Sequence, residues 1–200
     1  SGNEHNLTEF TDMQAFLDSQ PDAIIIANLT NLHAEYLAEV MALDIHVLGE
    51  KPLVATIEEW QSLNDQILTY KGIGMTAYNM SFHPCVQEIQ QIINKNRLGK
   101  IYSARFFVGQ YLPDWRPDTD YSKSYSASKE LEGGVLFDLI HEIDLACQLV
   151  GEPVGPVSSH VDKLSELQIE TEDLVELFYR TDNSFVSIHL DYLTRGYQRY

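Results

Sequence analysis

A lysine at the end of an apolar segment is the first side chain in this sequence that could transfer protons. Lys51 stands between Glu50 and Pro52, shortly after the apolar run 45–48. A lysine amine accepts a proton only in its neutral form, which burial or a neighbouring cation favours. The alternative is a surface lysine that pairs with Glu50. The sequence therefore allows two interpretations of Lys51, a general base or one half of an exposed ion pair.

Asp138, His141 and Asp144 form a second group that could do chemistry, because they occupy every third position of one segment. An imidazole titrates near neutral pH, so it can both donate and accept protons under ordinary conditions. The two carboxylates could orient the ring or balance its charge. The alternative for an isolated histidine on the polar side of a helix is simple solvation.

The residues before Lys51 have the pattern of a strand, a helix and a second strand. Residues 23–27 form a short apolar run without alternation, which is typical of a strand buried on both faces. A polar turn, 28–31, leads into an apolar helical stripe within 36–41, and the run 45–48 forms the second strand. Ligands of open α/β sheets bind at the carboxyl ends of the strands, so this unit predicts Lys51 at a ligand-binding edge.

The segment that carries His141 has the pattern of one amphipathic helix, which begins after residues 133–134 and ends at Gly151. Its apolar side chains recur at helical spacing and are Leu136, Leu139, Ile140, Ile143, Cys147 and Val150. The same periodicity predicts that Asp138 lies opposite this stripe, with His141 and Asp144 further round the polar side.

Periodicity and capping residues indicate the remaining elements. Helices are predicted within 7–19, 56–71 and 84–98, and strands within 73–78, 101–111, 157–161, 173–179 and 185–193. The second of these helices begins with Thr56 and Glu59, which have the form of a capping box. Alternation in 101–111 predicts an antiparallel strand with one face on a core, and the turn 181–184 predicts a hairpin.

The longest irregular segment, 112–131, mixes aromatic rings with hydrogen-bonding groups. A loop of this length in a compact domain is usually functional or disordered, and its aromatic content favours function. Aromatic faces beside polar groups bind sugar rings well. We therefore predict that the substrate-binding residues include Tyr111, Trp115, Arg116, Tyr121 and Tyr125.

Composition limits the possible partners. Thirty acidic residues against thirteen basic ones give a formal charge of −17, which disfavours nucleic acids and anionic membranes through repulsion. No apolar run approaches the about 18 residues of a membrane span, and the first residues lack the features of a signal peptide. With only Cys85 and Cys147 present, a reducing, cytoplasmic location is predicted. No histidine or cysteine pair has a tight ligand spacing, so no metal site is predicted.

Three motifs in this order resemble those of the glucose-fructose oxidoreductase, inositol dehydrogenase and rhizopine-catabolism (Gfo/Idh/MocA) family of nicotinamide-dependent sugar oxidoreductases. They are the turn 28–33, the tripeptide 50–52, and residues 133–134 with Asp138, His141 and Asp144. The similarity covers nearly the whole chain. The family's first strand, Gly-rich turn and helix, which hold the pyrophosphate, have no room before Pro21. We therefore expect a chain truncated at both ends.

The resemblance implies an α/β chain with two domains. Residues 1–80 are expected to form a partial dinucleotide-binding domain, with a Rossmann-type parallel sheet that lacks the Gly-rich first βα unit. Residues 81–200 are expected to form an α+β domain for substrate binding and oligomerisation, with a mostly antiparallel open sheet and an incomplete C-terminus. Because the family often assembles through this open sheet, a homo-oligomer is expected.

The resemblance also implies roles for individual residues. Lys51, His141 and Asp138 would be catalytic, and Asp138 and His141 would also contact a sugar, polyol or nucleotide-sugar substrate. The cofactor, NAD or NADP, would contact Asn28, Thr30, Asn31, His33, Glu50, Lys51 and Asn79. The asparagine and threonine side chains could instead cap a helix, and the two roles are compatible.

Two functions remain open at this point. The first is an oxidoreductase, or a fragment of one, that transfers a hydride between nicotinamide and a hydroxyl of the substrate. The alternative is a catalytically silent sugar-binding or assembly module without a complete cofactor site. Affinity for the cofactor would distinguish them.

Overall fold

The protein was analysed as a computed structural model, which describes residues 8–200. It contains a three-stranded parallel sheet and a five-stranded mixed sheet, each with its own hydrophobic core. The predicted fold class, a Rossmann-type parallel sheet followed by a mostly antiparallel sheet, is therefore confirmed. The exact domain boundary at residue 80 stays a prediction. No helix in the described part of the chain is long and apolar enough to span a bilayer.

The first sheet has the strand order β1-β2-β3, and its strands run parallel. Its elements are α1 (Met13–Asp18), β1 (Ala23–Ile26), α2 (His33–Ala42), β2 (His46–Gly49), α3 (Ile57–Thr69) and β3 (Gly74–Thr76). The Asp12 side chain caps α1, and Thr56 and Glu59 form the capping box that the sequence predicts for α3. The three strands therefore end at one edge, and Lys51 follows β2 directly at that edge.

The prediction that β1 is buried on both faces is wrong for the described chain. Ile24 and Ile26 are buried, whereas Ile25 between them is 71% exposed. Both buried side chains belong to the core that includes Leu37 of α2 and Leu63 of α3. Successive side chains of a strand point to opposite faces, so Ile25 lies on the other side of the sheet.

The second sheet has the order β5-β6-β7-β4-β8. Its strands are β4 (Ser103–Gly109), β5 (Ser158–Asp162), β6 (Leu174–Arg180), β7 (Phe185–Asp191) and β8 (Gln198–Arg199). The hairpin between β6 and β7 is confirmed, with Thr181 donating to the carbonyl of Ser184. The prediction of an antiparallel strand is right for β4 only in part, because β4 runs parallel to β7 over seven residue pairs and antiparallel to β8 over two. The carboxyl ends of β4 and β7 therefore meet at one edge.

The helices of the second domain are α4 (Pro84–Asn94), α5 (Val135–Asp138) and α6 (His141–Val150). The single helix predicted for α5 and α6 is wrong, because the hydrogen-bond ladder restarts between them. The amide of Asp144 donates to Ile140, and that of Glu142 donates to Leu139. The carbonyls of Phe137 and Asp138 receive no backbone amide from α6. The break thus leaves two adjacent acceptors without helical partners.

The break also changes which side of α6 is buried. The fully buried side chains of α6 are Glu142, Leu145 and Ala146, whereas Ile143 and Val150 of the predicted stripe pack at the margin of the core. In an uninterrupted helix, the apolar side chains from Leu136 to Val150 would all lie on one side. Because the helix restarts at His141, the residues of α6 are rotated relative to those of α5, and the carboxylate of Glu142 faces the interior.

Candidate active site

The amine of Lys51 fills the gap between α5 and α6. Its Nζ atom donates to the carbonyl oxygen of Phe137 at 3.0 Å and to that of Asp138 at 2.9 Å. These are the two carbonyls that the helix break leaves without amide partners. The contact joins the carboxyl edge of the first sheet to the helices of the second domain.

Burial makes the Lys51 amine easier to deprotonate than an exposed lysine. Burial lowers the pKa of the amine below its usual 10.5, although the charges of Asp138 and Glu50 act in the opposite direction. Glu50 is exposed, and its carboxylate accepts from the backbone amide of Lys51 at 3.3 Å. The structure therefore places the amine against neutral carbonyls, and the exposed ion pair with Glu50 does not form.

His141 begins α6 close to this amine. Its Nδ1 atom is buried and has no hydrogen-bond partner within residues 8–200, and the ring of Tyr78 meets the imidazole edge-on at 5.9 Å. Burial lowers the pKa of His141 to about 4, and the positive charges of Lys51 and Arg199 act in the same direction. The imidazole is therefore neutral at pH 7, and its buried Nδ1 has no partner among residues 8–200.

The carboxylate of Asp138 receives three hydroxyl donors. The Tyr125 hydroxyl donates at 2.5 Å, and the hydroxyls of Ser126 and Tyr192 each donate at 2.6 Å. Burial and the charge of Asp138 raise the pKa of both tyrosines above its ordinary value. Tyr192 is fully buried and Asp138 itself is half-buried, so this carboxylate faces its hydroxyl donors and not a fully solvated helix face. Asp138 meets Lys51 through its backbone carbonyl.

Asp144 lies where α6 meets the segment after β3. Ser81 donates to its carboxylate at 3.4 Å and Gln148 donates to the same oxygen at 2.8 Å. Burial raises the pKa of the Asp144 carboxyl, and these two hydrogen bonds oppose that rise. The contact with Ser81 connects α6 to the crossover between the two domains.

Among the residues predicted to bind the cofactor, Asn28, Glu50 and Asn79 have exposed side chains at the carboxyl edge of the first sheet. Thr30 is buried. Asn31 donates to the carbonyl of residue 130 at 3.5 Å. The edge thus offers amide and carboxylate groups to a ligand, while the turn itself is fixed to the second domain.

His33 is placed differently from its predicted role at the surface of a cofactor site. Its ring is 1% exposed, with Nδ1 2.8 Å from the carbonyl oxygen of Pro52 and Nε2 3.3 Å from that of Asn28. A neutral imidazole donates to one of these carbonyls. His33 therefore ties the turn after β1 to the segment that follows Lys51.

The aromatic side chains of the long loop pack mostly inward. Trp115 meets Tyr192 edge-on at 5.4 Å, and Tyr121 packs against the same core, while Arg116 is exposed. Tyr111 and Tyr121 line an open cavity of about 510 Å³, the former with the guanidinium of Arg195 over its ring at 3.5 Å. The structure does not gather the five predicted sugar-binding residues into one open platform.

Sequence reasoning missed the ion pair between Glu142 and Arg199. The Nε atom of Arg199 lies 2.6 Å from one carboxylate oxygen of Glu142, and Nη2 donates to the other at 3.0 Å. The only signal in the sequence was a glutamate beside the apolar stripe, which an uninterrupted helix would expose. Within residues 8–200, no group of three or more histidine, cysteine or acidic side chains is arranged to hold a metal ion.

Two family models match the chain. The oxidoreductase family with an NAD-binding Rossmann fold matches residues 2–75, and the GFO/IDH/MocA C-terminal domain matches residues 86–200. Levoglucosan dehydrogenase of Pseudarthrobacter phenanthrenivorans is 34% identical over 146 residues, which are 71% of this chain and 36% of that protein. Myo-inositol 2-dehydrogenase of Thermotoga maritima is 25% identical over 141 residues, or 70% of this chain and 39% of that protein.

Solved structures show the same fold. Levoglucosan dehydrogenase in complex with NADH and levoglucosan superposes with a TM-score of 0.83 at 25% identity, over 96% of this chain and 53% of that one. An inositol dehydrogenase homologue from Azotobacter vinelandii, complexed with NAD⁺, gives a TM-score of 0.81 at 17% identity, over 95% and 52%. The chain thus spans about half the length of these structures.

Replacing His141 should weaken the dependence of the free energy of unfolding on pH in the acid range. Because the pKa of His141 is about 4 in the fold and 6.5 ordinarily, the unfolded chain binds this proton more tightly. The free energy of unfolding should therefore fall as the pH drops from 6.5 towards 4, and His141→Gln should remove this part of the slope. Urea unfolding across this range measures it, with the exposed His160→Gln as control. Equal slopes in His141→Gln and the wild type would contradict the assignment.

Replacing Asp138 should destabilise the second domain. In Asp138→Asn, an uncharged amide replaces the carboxylate that accepts hydrogen bonds from three hydroxyls. Hydrogen bonds to charged groups are worth about 1.5–3 kcal/mol each. We expect the free energy of unfolding to fall by at least about 2 kcal/mol. The exposed Asp65→Asn of α3 should change it by less than about 0.5 kcal/mol. Similar stabilities for the two variants in urea unfolding would contradict the stabilising role of the hydrogen bonds to the Asp138 carboxylate.

Proposed function

This chain belongs to the Gfo/Idh/MocA oxidoreductase family, and on that premise we propose that it carries the proton-transfer site of a nicotinamide-dependent dehydrogenase. The proposed substrate is a sugar, polyol or nucleotide-sugar with a hydroxyl that is oxidised to a carbonyl. The observation that supports this most is the Lys51 amine, which is partly buried, held by two carbonyls and adjacent to a neutral His141.

The geometry around Lys51 suits a general base. A neutral amine has two N–H groups and one lone pair, and the carbonyls of Phe137 and Asp138 can accept both N–H groups. The lone pair is then directed away from the two carbonyls and can take the proton of a substrate hydroxyl. Once protonated, the amine has a third N–H group that can donate to the product oxygen. Fixing the amine in advance lowers the cost of orienting it during the reaction.

Neutral His141 can assist at the same hydroxyl. One of its ring nitrogens can accept or donate a hydrogen bond without a change of charge. The low pKa of the imidazole, about 4, makes it a poor competitor for the proton at pH 7. We assign the proton to Lys51 and give His141 the task of holding the substrate oxygen.

The proposed role of Asp138 is to hold this arrangement in place. Its carboxylate anchors the end of α5 through Tyr125, Ser126 and Tyr192, and its carbonyl accepts from Lys51. Its negative charge also opposes the loss of the Lys51 proton, so burial of the amine has to outweigh it. In this proposal Asp138 fixes the position of the Lys51 amine through its carbonyl and raises the pKa of that amine through its charge.

The residues present fit a nicotinamide cofactor. Exposed Asn28, Glu50 and Asn79 lie at the carboxyl ends of the parallel strands, where such ligands bind, and the unpartnered Nδ1 of His141 lies near the same edge. We propose that these three side chains contact the ribose and nicotinamide portion. When bound, NAD or NADP supplies the acceptor for the hydride that leaves the substrate carbon. The proposal includes both cofactors, because the relatives include an NADP-dependent D-xylose 1-dehydrogenase of Haloarcula marismortui.

The substrate class rests on the named relatives. Their names specify levoglucosan, inositols and D-xylose, which are all polyhydroxylated rings or their close derivatives. The site suits such an uncharged substrate because Lys51 and His141 form no ion pair with another side chain among residues 8–200. Free cysteines at 85 and 147 suit a reducing compartment and support a cytoplasmic site of action.

We further propose that two copies associate through the open face of the second sheet. Strand pairing puts Phe178, Phe185, His189 and Phe107 on one face, opposite the buried face that carries Val186 and Ile188. Phe178 and Phe185 are 38% and 47% exposed and stack at 6.3 Å. Exposed aromatic patches of this kind commonly mark protein interfaces.

Phe185→Glu should lower the molar mass of the assembly. A carboxylate at position 185, at the start of β7 on this face, would have to be desolvated without a partner on association. Sedimentation velocity at several concentrations measures the effect, and Ile57→Glu, at a 70% exposed position on α3, is the matched control. An unchanged mass for Phe185→Glu would contradict association through this face.

Lys51→Met should remove turnover while preserving cofactor affinity. Methionine fills similar space without an amine, and general base catalysis typically contributes about 10²–10⁴-fold to kcat. The measurement is formation of NADH or NADPH by the full-length protein on a panel of sugars and polyols, together with cofactor titration. Exposed Lys71→Met is the control. Retained turnover in Lys51→Met would contradict the role of this amine, and saturable sugar binding without cofactor binding would support a silent sugar-binding module.

A further inference from the structure

The residue that follows His141 in α6 takes part in a buried ion pair. Glu142, the next residue of α6, is 2% exposed, and its carboxylate is held by the guanidinium of Arg199. The Nη2–Oε2 contact is an aligned hydrogen bond of 3.0 Å, whereas the 2.6 Å approach of Nε to Oε1 is ionic and less well directed. The two residues are 57 positions apart in the sequence.

The second sheet fixes the direction of the Arg199 side chain. Arg199 stands opposite Val108 in the antiparallel pair of β4 and β8, and the backbones of Phe107 and Tyr200 exchange two hydrogen bonds beside it. Opposed residues share a face, and Val108 is fully buried. The guanidinium is therefore directed to the side of the sheet on which α6 packs.

Arg199 also reaches the crossover between the domains. Its Nη1 atom lies 3.4 Å from the Sδ atom of Met80, within the short turn Asn79–Phe82. The same turn is bound to α6 through Ser81 and Asp144. One side chain thus contacts the edge strand, the helix that begins with His141 and the crossover.

A buried ion pair is a poor source of stability compared with apolar side chains of similar volume. Its presence at the first turn of α6 therefore calls for a positional or electrostatic explanation. The charged and titratable groups around His141 come from every element packed against it: Lys51 after β2, Tyr78 after β3, Asp138 of α5, Glu142 and Asp144 of α6, and Arg199 of β8. Lys51 and Arg199 are the cations of this set.

We propose that Arg199 and Glu142 are positioning residues for His141: their ion pair fixes the first turn of α6 against the sheet and the crossover, and the guanidinium of Arg199 disfavours a positive charge on the imidazole. This inference rests on the function proposed above. Two cations near one imidazole disfavour a third positive charge, as the direction of the His141 pKa reflects. The contact of the guanidinium with both carboxylate oxygens holds the backbone of Glu142, and hence of His141, close to the edge strand.

The ring titration of His141 tests the electrostatic half of this inference without any need for turnover. Histidine-labelled protein is followed by NMR against pH, and His141→Gln assigns the resonance. Arg199→Gln removes the cation and leaves Glu142 uncompensated, and both changes should raise the pKa of His141 by at least about one unit. Arg105→Gln, an exposed arginine of β4, should leave it unchanged. A folded Arg199→Gln with a wild-type His141 pKa would overturn the inference.

Arg199→Lys tests whether the contact between Arg199 and Glu142 fixes the position of His141. This variant replaces Arg199→Gln as the test of the inference if Arg199→Gln does not fold. Lysine keeps the charge but cannot grip both carboxylate oxygens in a planar fork. The pKa of His141 should then stay at its wild-type value while kcat of the full-length protein falls at least about tenfold with little change in KM. Wild-type kcat in Arg199→Lys would overturn the positional role. Unaltered turnover in Lys51→Met would instead refute the underlying function and leave the NMR result standing.

Discussion

The two hydrogen bonds from Lys51 to the carbonyls of Phe137 and Asp138 connect the two sheets of this protein at its candidate active site. They require a lysine at the carboxyl end of a parallel strand and a break in the helix that faces it. Neither condition is sufficient alone. Without the break both carbonyls would belong to the helix ladder, and the buried amine would lack partners. A buried amine that keeps neutral acceptors can lose its proton more easily than one paired with a carboxylate.

The surroundings of α5 explain how this break is maintained. A side chain at Gly133 would collide with the backbone of Tyr125 and Ser126, and one at Gly134 would collide with Glu172, which accepts from the amide of Leu136. The absence of side chains lets the start of α5 approach these residues closely. Tyr125 and Ser126 in turn donate to the Asp138 carboxylate at the other end of α5. Both ends of this short helix are therefore fixed to the same stretch of the long loop, and the next helix begins afresh at His141.

The sequence predicts well what depends on local periodicity. The parallel unit around Lys51, the capping box at Thr56 and the hairpin at 181–184 all follow from neighbouring residues and are confirmed. It predicts poorly what depends on distant partners. The burial of Glu142 requires Arg199, and the break before His141 requires the amine of Lys51 and the hydroxyls around Asp138. His33 likewise has the residue type expected of a ligand contact, but its neighbours in space are two backbone carbonyls. Periodicity assigns these residues to their helices and turns, but it cannot show which atoms they meet in the folded chain.

The titration of the Lys51 amine is the most direct measurement of whether this site can act as a base. Protein labelled with ¹⁵N at lysine Nζ is followed by NMR against pH, with Lys51→Met to assign the resonance and exposed Lys71 as an internal reference. Our account predicts that Lys51 titrates below 10.5, the usual lysine pKa, and that its resonance keeps slow proton exchange from two hydrogen bonds to carbonyls. A Lys51 amine that titrates at or above that value, or exchanges as rapidly as Lys71, would contradict the account.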